Sequence, residues 1–164
     1  MPLARINNKI LFFIHIPKTG GSSIERFLAD HGALALFNTA DVDWMKCSSQ
    51  HIHHEIHQQI VRPNFFDASF AIVRDPVQRL VSEYSFRRKA RKTPMPEFPV
   101  WVRNVFQMYK TNKYILDNHI RPQTEFLRAG CRIFQFESGL EQVFAWLTDI
   151  SGLKLEAYLP PPLQ

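Results

Sequence analysis

The chain alternates short apolar runs with segments of helical periodicity. Residues 10–16 (ILFFIHI) form an apolar run around one histidine, closed by Pro17. A short run ended by a breaker reads as a buried strand. Residues 68–73 (ASFAIV) repeat the pattern before Arg74-Asp75-Pro76, and residues 131–136 (CRIFQF) read as a third strand. A further short strand is expected at residues 33–37.

Between these runs the period lengthens from two to about 3.6 residues. Ile24, Phe27 and Leu28 give an apolar face to a helix beginning near Ser22 and Ser23. Ile52, Ile56 and Ile60 recur every fourth residue and predict a helix over residues 52–60. Val77, Leu80, Val81 and Tyr84 predict a helix opened by Pro76 and capped by Asp75. Residues 101–109 predict another helix, and Leu140, Val143, Phe144 and Leu147 mark a last one. Residues 39–50 are polar and irregular. Residues 93–99 hold three prolines and read as a loop.

Strands alternating with helices require crossovers, hence an α/β fold with a parallel sheet covered by helices on both faces. With 164 residues, 45% of them hydrophobic, the chain suits a single domain over residues 1–164, with 153–164 as a proline-rich tail. No apolar run approaches the ~20 residues of a membrane span. The first run is too short for a secretory signal, and no cleavage site follows it. Cys47 and Cys131 form neither a CxxC pair nor a disulfide framework, so a reduced, cytoplasmic protein is expected.

The net charge of +5 favours an anionic ligand or partner without choosing its class. Much of the excess sits in Arg87, Arg88, Lys89, Arg91 and Lys92. That tract is either a solvated helix end or an approach surface for an acidic acceptor. No motif points to nucleic acid.

Ligands of such sheets bind at the carboxyl ends of the strands. Two loops there carry chemistry. Pro17-Lys18-Thr19-Gly20-Gly21-Ser22-Ser23 leaves a strand and opens a helix. Glycines let the backbone approach an anion, the first helical amides point at it, and Lys18 adds a positive charge. The order differs from the Walker A loop, because the lysine precedes the glycines and none follows them. In the second loop Arg74 ends a strand and Ser82 lies eight residues on, at nearly the azimuth where the helix starts. An arginine fork and a serine hydroxyl both suit phosphate oxygens. The pair of loops suggests a ligand with two separated phosphate groups. The alternative is that Arg74 pairs with a structural carboxylate.

Between the loops lie His51, His53, His54 and His57. Imidazole titrates near neutrality, so these are candidate bases; Glu55 is a weaker one. His15, inside the first strand, reads as a satisfied buried residue. His53 and His57 have the i, i+4 spacing of a zinc pair, but Gln58 stands where the HExxH pattern needs its second histidine, and no metal is expected.

Together FIHIPKTGGSS at residues 13–23 and VRDPVQRLVSEY at residues 73–84 resemble the two cofactor motifs of the sulfotransferases that use 3′-phosphoadenosine-5′-phosphosulfate (PAPS), particularly their carbohydrate-type branch. Weaker echoes are Gln50-His51, residues 117–123 (DNHIRPQ) and Phe136-Glu137. The resemblance implies a P-loop-like three-layer sandwich. It implies that Pro17, Lys18, Thr19, Gly20, Gly21, Ser22 and Ser23 hold the 5′-phosphosulfate. Arg74 and Ser82 would hold the 3′-phosphate that separates PAPS and its product 3′,5′-ADP from ADP or ATP. His51 stands where carbohydrate-type members carry their catalytic histidine, with His53 as the second candidate base. Lys18 would steady the leaving phosphate. By the same analogy His119, Arg121 and Gln123 would bind the acceptor, a hydroxyl-bearing molecule such as an anionic glycan. Members of the family usually continue past the last helix with a segment that covers the adenine, where this chain has its proline tail. Two other readings stay open: a nucleotide or small-molecule kinase, and a degenerate nucleotide-binding module without activity.

Overall fold

A computed structural model describes residues 1–37, 44–91 and 93–153. Most of the expected tail, Lys92 of the basic tract and part of the irregular segment lie outside the described residues. The centre of the fold is three parallel strands, β2 (Lys9–Ile14), β4 (Ala68–Val73) and β5 (Arg132–Gln135). Each continuous apolar run of the sequence becomes one of these strands: β4 keeps the expected bounds, β5 is one residue shorter at each end, and β2 starts one residue before the run and stops two short of its end. The parallel α/β expectation therefore holds for the part of the sheet that carries the loops.

Two further strands, β1 (Leu3–Ile6) and β3 (Ala33–Ala35), extend the sheet to the order β3-β1-β2-β4-β5. Both pair antiparallel, so the sheet is mixed. β1 was not expected: its sequence, LARI, is too short to show a period. The signal it offers is the turn that follows. Ile6 pairs with Lys9 across Asn7-Asn8, and Asn7 takes a left-handed φ of 51°, which asparagine tolerates better than most residues.

Successive residues of β2 face opposite ways and build two cores. Leu11 and Phe13 join Phe70, Ile72 and Phe134 under α1 (Gly21–His31) and α5 (Glu141–Ser151), through Ile24, Phe27, Leu28, Val143, Phe144 and Leu147. Phe12, Ile14 and Ala71 face the other side, against Ile52, Val61 and Phe126 around α2 (His54–Ile60). The result is a three-layer sandwich. A third, smaller cluster packs α3 (Pro76–Ala90) against α4 (Phe98–Thr111) through Tyr84, Trp101 and Val105. Trp101 is thus a core residue.

Three expectations need correcting. The helix expected over residues 52–60 begins at His54, after a separate turn at Ser49–His51. Pro99 is not in the loop but in the first turn of α4, where its missing N–H costs nothing. The third correction concerns α3. Val77 and Val81 are not core; they are 61% and 38% exposed. The side that α3 buries carries Arg79, Glu83 and Tyr84. A helix that turns charges inward is satisfying polar groups elsewhere in the protein, and here those groups form the site.

Candidate functional site

The loop after β2 bends through two left-handed residues, Lys18 (φ 67°) and Gly20 (φ 85°), before α1 begins at Gly21. Its carbonyls are tied back. Arg79 Nε donates to Pro17 O at 2.8 Å, and Arg74 Nη1 donates to Lys18 O at 3.3 Å. In a trans peptide the next N–H points the opposite way, so these bonds turn the amides of Lys18 and Thr19 outward. No hydrogen bond from the backbone N–H groups of residues 18–22 is made to a described residue. Free donors grouped in this way suit an anion and make the loop a candidate cradle. The Thr19 hydroxyl is not one of them: Thr19 is buried and its Oγ1 donates to Ile16 O at 2.8 Å. Gly21 has a packing reason to be glycine, because a Cβ there would lie 2.1 Å from Nε2 of His15.

Lys18 is half-buried, with its Nζ 4.0 Å from the centre of the Phe86 ring. Burial lowers its pKa, the nearby charge of Glu83 raises it, and Arg74 and Arg87 lower it again. Arg74 lays its guanidinium on the ring of Phe136 at 4.4 Å, and its buried Nε has no partner. An orphaned cationic donor beside a cradle of free amides fits a phosphate group. Ser82 lies two turns along α3 and is half-buried.

Three histidines, the first of them packed against Gly21, stand in a row, each anchored through Nδ1 to a carboxylate. His15 Nδ1 lies 2.6 Å from Glu25, His51 Nδ1 lies 2.6 Å from Asp117, and His119 Nδ1 lies 2.6 Å from Glu83. The His51 ring meets the other two edge-on, with centroids 5.0 Å from His15 and 4.8 Å from His119. His15 is buried, as expected; burial pushes its pKa down to about 4 although Glu25 opposes the shift. Gln50 caps the same carboxylate, donating to Glu25 at 2.6 and 2.7 Å.

Asp117 also accepts from Ser48 N at 2.6 Å and Ser48 Oγ at 2.7 Å. Burial favours the neutral acid, but the bonds from His51 and Ser48 outweigh it and hold this carboxyl far below the usual range. Glu83 is buried and takes both His119 and Arg87 Nε. Burial again opposes its charge, and these partners keep it ionised. Arg79 completes the frame, with Nη1 to Arg121 O at 2.9 Å and Nη2 to His119 O at 2.8 Å. Arg79 and Glu83 carried no expectation from sequence, Arg87 was expected only as part of the basic tract, and Asp117 only within the 117–123 echo, although the i, i+4 spacing of Arg79, Glu83 and Arg87 was a visible signal.

The other named residues take different places. His53 is buried beside Tyr114 and lies 3.5 Å from Glu55; no contact joins it to the row. His57 Nε2 donates to Phe126 O at 3.0 Å. Arg121 commits its fork to Asn118, Glu125 and Lys113 O. Gln123 clamps the backbone of Arg74, donating to its carbonyl at 2.7 Å and accepting from its amide at 3.0 Å. Arg121 and Gln123 thus both have partners within the protein. Glu137 accepts from Asp75 N at 2.8 Å, which gives the Phe136-Glu137 pair a role in holding the Arg74 loop.

Among the described residues, one group of three potential metal ligands is close together: His51, Asp117 and His119, with ligand atoms within 4.8 Å. Its carboxylate already accepts three hydrogen bonds, and the adjoining Arg79 and Arg87 oppose a dication. Both cysteine thiols are pushed up to about 11, chiefly by burial, and are not nucleophiles at neutral pH. Among the described residues no helix is long and apolar enough to cross a membrane.

Residues 5–145 match the model of the sulfotransferase family, and the chain belongs to that family. Comparison with curated proteins and with solved structures found no match.

Proposed function

We propose that this sulfotransferase-family chain moves a sulfuryl group from PAPS to an acceptor hydroxyl of a carbohydrate, with His51 as general base. The observation that carries the reading is the His51–Asp117 pair. The aspartate engages Nδ1, which leaves Nε2 as the basic atom, and the neighbouring ring of His119 is anchored by Glu83, whose charge also acts on Lys18.

PAPS would supply a sulfuryl group already bonded to a phosphate leaving group. Lys18 and the amides of residues 18–22 would hold that end, and Arg74 and Ser82 the 3′-phosphate. His51 Nε2 removes the proton of the attacking hydroxyl, and Asp117 stabilises the imidazolium so formed. Lys18 offsets the charge that develops on the departing phosphate oxygen. Little further chemistry is required, because transfers of this kind depend on alignment and charge. His51 is preferred over His53 because the carboxylate near His53, Glu55, is exposed and 3.5 Å away, and the other ring nitrogen of His53 is buried.

The test is mass-spectrometric detection of sulfated product from PAPS and a carbohydrate panel. His51→Ala should abolish product and retain binding of 3′,5′-ADP. Phosphorylated product from ATP and Mg²⁺ instead would establish the kinase reading. Tight 3′,5′-ADP binding with no transfer to any acceptor would establish the non-catalytic one.

A further inference from the structure

The transfer reading uses His51 and leaves a second, equally constrained histidine beside it without a task. His119 is fixed at both ends. Its Nδ1 donates to Glu83, and its own carbonyl accepts from Arg79. Glu83 cannot move to suit it, being buried and bonded to Arg87. The ring therefore points its Nε2 in one direction.

That atom and Nε2 of His51 are equivalent in kind. Each belongs to a ring whose Nδ1–H is spent on a carboxylate, so each offers a lone pair. Neither makes a hydrogen bond to a described residue. The two side chains remain 10% and 11% exposed, and the rings stand at 87° to one another. Burial lowers the pKa of His119, although Glu83 opposes this, and the nearby His51 and Arg87 lower it further. Two imidazolium rings side by side repel, which favours the neutral form of His119 beside a base that takes up the hydroxyl proton. A neutral ring with a free lone pair beside the base asks for a donor group on the acceptor itself. The donor must sit next to the reacting oxygen, because the rings are neighbours.

We propose that His119, oriented by Glu83, accepts a hydrogen bond from a second hydroxyl adjacent to the one being sulfated, so that the preferred acceptor is a vicinal diol. The inference rests on the sulfuryl-transfer reading above. In the step itself the reacting oxygen forms its bond to sulfur and its proton passes to His51 Nε2. The bond from sulfur to the phosphate oxygen breaks, and its electron pair leaves with 3′,5′-ADP. The second hydroxyl keeps its proton throughout and is not consumed. Glu83 acts only through His119 and is a positioning residue.

The experiment compares kcat/KM for the best sugar acceptor with its mono-deoxy analogues, using PAPS as donor. Losing the adjacent hydroxyl leaves a desolvated acceptor unpaired, and should cost about tenfold to a hundredfold in the wild type. His119→Asn keeps an N–H where Nδ1–H stood, so Glu83 stays paired, but it removes Nε2. The diol-to-deoxy ratio should fall towards one. His119→Gln, which can place an oxygen near the Nε2 position, should keep part of the ratio. Unchanged 3′,5′-ADP affinity in both variants checks that the fold and the donor site survive. Equal use of diol and deoxy acceptors by the wild type, or an undiminished ratio in His119→Asn, would overturn the proposal while transfer itself stands. Failure of the wild type to transfer to any acceptor would overturn the underlying reading, and this one with it.

Discussion

Asp117 Oδ2 lies 2.6 Å from Nδ1 of His51, and Asp117 is the middle of three consecutive left-handed residues. Leu116, Asp117 and Asn118 have φ values of 55°, 57° and 64°. Each such residue costs on the order of 1–2 kcal/mol when it is not glycine. The turn is held by what surrounds it. Asn118 Nδ2 donates to His51 O at 2.8 Å, Arg87 reaches Leu116 O at 3.4 Å, and Ser48 bonds both oxygens of Asp117. The strain places the carboxylate against the base.

Asp117→Asn should keep the shape of this turn and lose its purpose. The amide can offer Nδ1 a donor where an acceptor is needed, which favours the wrong tautomer of His51. We expect kcat to fall by about a hundredfold or more, with 3′,5′-ADP affinity unchanged by calorimetry. The variant should also resist acid better relative to its own neutral-pH stability. The depressed carboxyl of Asp117 contributes stability that is present above the unfolded carboxylate pKa and lost as pH falls below it.

Arg79→Lys should be severe although it keeps the charge. Arg79 is buried and its planar fork serves three carbonyls, those of Pro17, His119 and Arg121. An ammonium group cannot reach all three. Loss of about 2–4 kcal/mol is expected from the carbonyls left unpaired, read as a lower midpoint in denaturant. Because Pro17 opens the anion cradle, 3′,5′-ADP should bind more weakly to the molecules that remain folded.

Gly21→Ala places a methyl group against the His15 ring. Neither side can yield, since Gly21 and His15 are both buried and His15 is bonded to Glu25. Thermal denaturation should show a loss of a few kcal/mol, typical of an overpacked core. His15→Ala alone also unpairs the buried Glu25, so the check is a double-mutant cycle: Gly21→Ala should cost less in the His15→Ala background than in the wild type, and an equal cost in both would contradict the steric account.

His57 governs a different pH range. Its pKa is pushed down to about 4, chiefly by burial, while the bond to the Phe126 carbonyl opposes the shift. The unfolded chain therefore takes up a proton that the folded one refuses. Stability from this group is fully present above pH 6.5 and declines as pH falls towards 4. The slope attributable to it is at most about 1.4 kcal/mol per pH unit. His57→Gln, which retains a donor for Phe126 O, should flatten the fall in melting temperature between these limits.

The parallel strands and the glycine loop were legible in the sequence because their signals are local. A continuous apolar run and a Lys-Thr-Gly-Gly turn each state their structure within a few residues. β1 was not legible, since four residues of mixed character show no period. Nor was the inner face of α3. Val77 and Val81 offered an apolar stripe, and the fold instead buried Arg79 and Glu83, because the cradle and the residue 116–121 segment need hydrogen-bond partners. The base pair was half visible. His51 stood out among its neighbours, but Asp117 is 66 positions away and only the fold brings it near. His119 was expected at an acceptor site by analogy, while its partner Glu83 carried no expectation of its own.

The account depends above all on the second loop holding a 3′-phosphate. Calorimetric titration of the wild type and of Arg74→Ala with 3′,5′-ADP, ADP and ATP tests this directly. The account predicts that the wild type prefers 3′,5′-ADP, and that Arg74→Ala binds it about tenfold to a hundredfold more weakly while ADP, which loses only the Arg74 support of the Lys18 carbonyl, is weakened less. Equal affinity of the wild type for all three nucleotides would contradict it, and would leave the cradle around Lys18 as a general phosphate site.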